Sequence, residues 1–372
     1  MQLRTMLATM LCFAGSASGA FAQSHPLNDT GSLVCRDKQN HYSHQCAGTG
    51  QDGAYGRDVT ADQDKDGLAG FSFQKISATG AKLPLNATAW SCVLDKVTGL
   101  MWENKTNDGG LHDANNKFFN LQEDIQGDVG NWVNQVNAQG LCGYNDWRLP
   151  DVVEQQSIYD YNLGGAESAI DTRFFQFPVD EAYWSGQRYV KKPSTEIFGI
   201  YATEALINIY ANGDQIGARL VRTATLPAGA PDSPRYVLNG DEVTDTYTGL
   251  VWRRCAEGQK WTGSTCTGNL LHPASNYNFQ EALTRASSQA ALTGEAWRVP
   301  NIKELMTTAN YAFSGPALDP AIFPNNMAGF YMSSTPPVEN PTNNWMMDAS
   351  AGFNGFYDPS LKGALRLVRD AP

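Results

Sequence analysis

One short stretch constrains this chain more than any other, because it occurs twice. Trp147-Arg-Leu-Pro150 returns as Trp297-Arg-Val-Pro300, an interval of 297 − 147 = 150 residues. Other landmarks keep nearly that spacing. Thr98-Gly-Leu-Met-Trp102 recurs as Thr248-Gly-Leu-Val-Trp252, Glu154 as Glu304, Tyr183 as Tyr331, and Arg219-Leu-Val-Arg222 as Arg366-Leu-Val-Arg369, the intervals drifting only from 150 to 147. Landmarks kept in order with so little drift describe a duplicated domain rather than a compositional coincidence. The interval is too long for a solenoid repeat, so each copy is expected to be a self-sufficient domain with its own core. The expected units are residues 82–224 and 235–372, with a linker rich in Pro, Ala and Gly at 225–234.

Residues 1–22 read as a secretory signal: Arg4 supplies the positive start, residues 6–13 the apolar stretch, and Ala20-Phe-Ala22 the cleavage site. Cys12 lies inside the apolar stretch and lacks the small residues that precede a lipid-modified cysteine. No other apolar run approaches the roughly eighteen residues needed to cross a bilayer. The mature protein is therefore expected to be secreted, periplasmic or at the bacterial cell surface. Removing Arg4 deepens the formal charge from −11 to −12, which argues against nucleic acid and against an anionic membrane surface as partners.

Six cysteines remain after cleavage, an even number in an oxidising compartment, so disulfides are the default. The duplication narrows the pairing. Cys92 and Cys142 correspond to Glu242 and Leu292, so both are missing from the second copy; Cys255 and Cys266 correspond to Lys105 and Asn116, so both are missing from the first. A thiol without its partner has no structural use, so joint absence pairs Cys92 with Cys142 and Cys255 with Cys266. Cys35 and Cys46 are left for each other. Chain entropy assigns about 4 kcal/mol to the long loop and about 3 kcal/mol to each short one.

The region 23–81 is rich in Gly, Asp, Gln and Tyr and reads as ordered loop with a few strands; Phe71-Ser-Phe73-Gln-Lys-Ile76 alternates as a strand does. Asp62-Gln-Asp64-Lys-Asp66-Gly67 opens like a calcium loop, but Phe73 stands where the bidentate glutamate of an EF-hand belongs. Two readings stand for Asp62, Asp64 and Asp66: a partial calcium site, the one cofactor the chain suggests, or a solvated turn.

Within each copy the expected order is a hairpin ending in Trp102 or Trp252, an amphipathic helix, the tryptophan-arginine-proline stretch, a second helix, then strands and loops. Trp102 and Trp252 read as core anchors. Trp132, Val133 and Val136 mark the first copy's amphipathic helix; Phe279, Ala282, Leu283 and Ala286 mark the second's, with Asn278 and Glu281 as a capping box. After Pro150 and Pro300, Asp151 with Glu154 and Asn301 with Glu304 form further capping boxes, which gives both glutamates a structural role. Arg148 and Arg298 are expected to be held by carboxylates or carbonyls inside the fold. Ala351-Gly-Phe-Asn-Gly-Phe-Tyr357 either presents aromatics to a ligand or packs back on its domain. The fold class is α+β: two tandem homologous domains of short antiparallel strands, with two helices each and long loops.

These residues resemble a known family. The hairpin ending in Trp102, Asp146-Trp-Arg-Leu-Pro150 with Glu154, Tyr183-Trp-Ser185 and the closing Arg-Leu-Val-Arg222 look like the Lcl C-terminal domain, named for a collagen-like bacterial adhesin. Both copies carry the pattern. Gln51-Asp-Gly, Gly56-Arg-Asp58, Gly70-Phe-Ser-Phe73 and Asp108-Gly-Gly-Leu-His112 also resemble the region ahead of such domains in secreted bacterial proteins. The family supplies no established catalytic residues. In the adhesin the domain is associated with sulfated glycosaminoglycans and trimerisation. This chain lacks a collagen stalk, and its acidity disfavours polyanionic sugars. The Arg-Leu-Pro-x-x-x-Glu element is also similar to one in the C-type-lectin-like and sulfatase-modifying-factor folds.

The leading expectation is an exported, non-enzymatic binding module, adhesin-like, recognising an extracellular glycan or surface protein, with two copies permitting bivalent engagement. No H-E-x-x-H, nucleophile elbow or phosphate loop is present, and no histidine is repeated between the copies. The alternatives are a carboxylate hydrolase using residues such as Asp108 and Asp113, or a structural component of an envelope or fimbrial system. Ligand identity and oligomeric state are left open by the sequence.

Overall fold

Each copy is built on a hairpin whose turn requires a left-handed glycine, Gly99 at φ 72° in the first and Gly249 at φ 73° in the second. The computed structural model describes residues 27–61, 65–123, 125–163, 168–178, 181–223, 234–268, 276–338, 342–358 and 360–372. The expected signal sequence (residues 1–22), residues 225–233 of the expected linker, Asp62 and Asp64 lie outside these.

The first copy comprises β1 (Phe73–Ile76), β2 (Cys92–Asp95), β3 (Leu100–Glu103), α1 (Val129–Gln139), α2 (Val152–Ser157), β4 (Ala182–Arg188), β5 (Glu196–Tyr201), β6 (Leu206–Ala211) and β7 (Val221–Thr223). The second repeats this as β8 (Tyr236–Asn239), β9 (Glu242–Asp245), β10 (Leu250–Arg253), α3 (Phe279–Thr293), α4 (Ile302–Met306), β11 (Phe330–Met332), β12 (Asn344–Asp348), β13 (Phe353–Tyr357) and β14 (Val368–Asp370). Each copy holds a four-stranded antiparallel sheet, β1-β2-β3-β7 or β8-β9-β10-β14, and a three-stranded one, β4-β5-β6 or β11-β12-β13. The protein is thus α+β with mostly short antiparallel strands. Among the described residues no helix is long and apolar enough to cross a membrane.

Local chemistry sets the helices. Val129, Trp132 and Val136 are buried on one face of α1; Asp128 caps it by accepting from the Gly130 N–H at 2.8 Å, and Gly140 ends it in the left-handed region. Asn278 and Glu281 close a capping box at the start of α3, whose buried face is Phe279, Ala282, Leu283 and Ala286. The three disulfides join Cys35 to Cys46, Cys92 to Cys142 and Cys255 to Cys266, as joint absence between the copies predicts.

Each copy keeps a core of its own, around Trp132, Trp147 and Trp184 in the first and around Phe279, Trp297 and Met346 in the second. A third core belongs to both. It contains Phe73, Trp102, Phe175 and Phe198 together with Trp252, Phe323, Tyr331 and Trp345. Self-sufficiency therefore describes only part of the burial, because residues of both copies merge in this one core.

The joint is reciprocal. The Tyr161 ring meets Trp345 edge-on at 5.0 Å, and the Tyr311 ring meets Phe198 at 4.7 Å. Tyr311 is the counterpart of Tyr161 (161 + 150), and Trp345 that of Phe198 (198 + 147). Equivalent elements also pack on each other, α2 on α4 and β6 on β13. The Ile207 N–H donates at 2.8 Å to Asn354 Oδ1, and these two are themselves counterparts (207 + 147). Residue i touching j′ while i′ touches j is the signature of an isologous, pseudo-twofold interface, here within one chain. The Gly/Phe-rich stretch 351–357 is part of it. It packs back as β13, with Asn354 and Gly355 buried.

Trp345→Ala removes the centre of this joint and should cost about 3–5 kcal/mol. Calorimetry should show one transition, lowered as a whole. Two separate transitions, only one of them lowered, would contradict the shared core.

Candidate functional site

The repeated tryptophan-arginine-proline stretch is a joint between layers. Trp147 and Trp297 are buried in the separate cores, while the Arg148 and Arg298 backbones bridge to Val221 of β7 and Val368 of β14. Arg148 donates twice to Glu154, at 2.6 and 2.7 Å, and Arg298 twice to Glu304 at the same distances. Each glutamate also accepts from the N-cap backbone, and Asp151 and Asn301 cap α2 and α4 in full capping boxes. Trp102 and Trp252 are fully buried. Arg222 pairs with Asp146 at 2.6 Å and Arg369 with Glu242 at 2.8 Å, tying the last strand of each sheet to its own copy. Pro150 and Pro300 are buried directly before the caps.

Between α2, the residues that follow α4 and the two Thr-Gly turns lies a cleft of about 530 Å³ lined by both copies, within the range of small-molecule sites. Thr98, Asp151, Glu154 and Gln187 line it from the first copy; Arg235, Tyr236, Tyr247, Thr248, Tyr311 and Asp319 line it from the second. Leu27 also lines it. Tyr247 is 48% exposed. Arg235 is bound twice by Asp245, at 2.8 and 3.1 Å, with its guanidinium 4.8 Å from the Tyr236 ring centre and 5.6 Å from that of Tyr247. The cleft's cation is thus matched, as Glu154 is by Arg148. Asp151 and Asp319 leave the lining acidic.

Asp151 is distinctive. Burial first, and the neighbouring Glu154 charge second, push its carboxyl up to about 6 from an ordinary 3.8. Among the described residues no histidine or cysteine lines the cleft. What it offers is hydrogen-bond acceptors, hydroxyls and aromatic faces.

The other residues singled out from sequence lie elsewhere. Asp66 is buried, pairs with Lys96 and accepts from the Ser72 hydroxyl at 2.7 Å; Asp62 and Asp64 are outside the described residues. Asp108 accepts from the Gly110 N–H at 2.9 Å and the Thr106 hydroxyl at 2.8 Å, and Asp113 from the Asn115 and Gly109 N–H groups at 2.8 and 2.6 Å. These bonds hold both carboxyls below the usual carboxylate range, opposite to what a general acid needs. His112 has both ring nitrogens engaged, Nδ1 with Glu103 and Nε2 with Gln139, each at 2.9 Å. Sequence reading missed Tyr236, Tyr247, Tyr311 and Asp319, since lining residues drawn from positions 27 to 323 leave no local pattern.

Fold and cleft together define a tandem, disulfide-stapled α+β protein with a ligand-sized space between its repeats. The family model of the Lcl C-terminal domain matches it twice, over residues 91–222 and 241–369. The chain belongs to the Lcl C-terminal domain family. No curated protein matches it.

The two arginine–glutamate pairs differ in exposure, 46% and 18% for Arg148 and Glu154 against 16% and 11% for Arg298 and Glu304. Glu304→Ala should therefore cost about 3 kcal/mol by leaving the largely buried Arg298 with the exposed Asp370 as its remaining ion pair among the described residues, and Glu154→Ala about 1 kcal/mol. Equal losses in denaturant titrations would count against this account. For Asp151, a folded pKa above the unfolded one means its stabilisation is present below about pH 4 and lost as pH rises through about 6. The stability of Asp151→Asn relative to the parent should thus climb between pH 4 and 6 and level off above 7.

Proposed function

We propose that this protein is an exported, non-enzymatic binding module whose inter-repeat cleft takes an uncharged, hydroxyl-rich ligand, a glycan. The observation that carries this reading is the meeting of exposed Tyr247 with Asp151 and Asp319 in one ligand-sized cleft. An aromatic face accepts the C–H side of a sugar ring, and carboxylates accept its hydroxyls. A sulfated or otherwise polyanionic glycan would meet an acidic lining in a protein of net charge −11 before cleavage. Three disulfides suit an oxidising, extracytoplasmic setting. The C-type-lectin-like or sulfatase-modifying-factor-like likeness of the Arg-Leu-Pro-x-x-x-Glu element belongs to the same proposal, as a fold analogy only.

Because both repeats build the cleft, it is one site shared between them rather than one on each. Bivalent engagement, with an independent site on each repeat, is therefore not the arrangement proposed.

A glycan array probed with the mature protein, with and without calcium, tests this. Neutral glycans should bind, sulfated ones should not, and Tyr247→Ala should weaken binding about tenfold or more. Turnover of a polysaccharide without retained binding, or capture only of a fixed protein partner in crosslinking on intact cells, would overturn the reading.

A further inference from the structure

Away from the cleft, three carboxylates from the segment ahead of the first repeat converge in the interior. Asp29, Asp52 and Asp58 are 8%, 0% and 1% exposed, and one oxygen of each lies within 4.8 Å of the others. Two of them are held in place by donors on their outer sides. Asp29 accepts from the Thr30 N–H at 2.9 Å, the Arg57 N–H at 2.6 Å and the Asn301 side-chain amide at 3.0 Å. Asp52 accepts through Oδ2 from the hydroxyls of Thr30 and Thr335, both at 2.6 Å. Gly56 permits this approach: at φ 102°, a Cβ there would fall 1.9 Å from Asp29 Oδ2.

The inner side is not satisfied. Neither oxygen of Asp58 has a hydrogen-bond partner, nor has Oδ1 of Asp52. Among the described residues no ion pair reaches any of the three. No nearby cation bonds to these carboxylates: Lys303 Nζ, which feels the charges of Asp29 and Asp52, donates to the backbone carbonyls of Asp29 and Ser157, and Arg298 to Glu304 and Asp370. Like charges this close and out of water must be neutralised, by protons or by a cation. Oriented donors on Asp29 and Asp52, with orphaned oxygens on Asp52 and Asp58, match the outer shell and ligand set of a metal site.

We propose that Asp29, Asp52 and Asp58 hold a calcium ion. Every ligand atom is a carboxylate oxygen, with no nitrogen or sulfur, which selects a hard cation over zinc or copper. The ion staples the N-terminal segment to the second repeat, since Asn301 and Thr335, which orient the ligands, belong to that repeat. Asp52 and Asp58 come from Gln51-Asp-Gly and Gly56-Arg-Asp, and this gives those runs a role that the cleft does not. The site is separate from the incomplete calcium-loop pattern at Asp62, Asp64 and Asp66.

The test uses the full mature chain, stripped with EGTA and returned to calcium chloride. Elemental analysis after dialysis should find about one calcium per chain, and Tm should rise about 5 °C at a hundredfold excess over Kd. Asp58→Asn and Asp52→Asn should each abolish both effects, while Asp64→Asn should retain them. No retained calcium and no shift in the parent would mean that protons, not a metal, neutralise the cluster. Retention in Asp58→Asn with loss in Asp64→Asn would place the ion in the neighbouring loop. Either result overturns the proposal, and the parent measurement decides even where a variant fails to fold.

Discussion

The reciprocal burial of one repeat against the other is the contact on which the remaining structure depends. Tyr161 against Trp345 and Tyr311 against Phe198 bury large aromatic faces that a separate repeat would expose to water. That joint brings α2 onto α4 and so sets the Thr-Gly turns opposite one another. The cleft follows from this placement: neither repeat forms it alone, because Asp151, Glu154 and Gln187 come from the first and Asp319 and the tyrosines from the second. A duplicated chain that docks its copies through equivalent surfaces has made, in one polypeptide, the contact a homodimer makes between two.

The N-terminal segment breaks the symmetry. Tyr55 lies 4.7 Å from Arg298 and bonds to Val299 and Ser334, Asp29 bonds to Asn301, and Asp52 to Thr335. All these partners belong to the second repeat. Coverage by this segment buries Arg298 and Glu304, whereas Arg148 and Glu154 keep the same bidentate geometry nearer solvent. One motif thus carries two different energetic weights. The divergence lies in what packs over the motif rather than in the motif.

Much of each repeat was legible residue by residue. The capping boxes at Asp151, Asn278 and Asn301, the apolar faces of α1 and α3, the hairpins around Gly99 and Gly249 and the disulfide pairs all rest on interactions within a few residues or on absences shared between the copies. The stretch 351–357 was not settled in advance. Glycines and aromatics suit an exposed loop and a buried strand equally well; pairing with β12 makes it a strand, and β6 packs against it.

Sequence alone determined the duplication, the α+β elements, the cysteine pairing and the structural use of Glu154 and Glu304, because periodicity, capping and turn chemistry act over short chain distances. Tertiary structure alone decided the shared core, the cleft and the gathering of Asp29, Asp52 and Asp58. Those depend on which surfaces cover one another across intervals of up to roughly 300 residues, and burial of that kind is a property of the packed whole. It also turned Trp147-Arg-Leu-Pro150 and its repeat into joints between layers, and left ligand-sized space to residues that no local pattern marks.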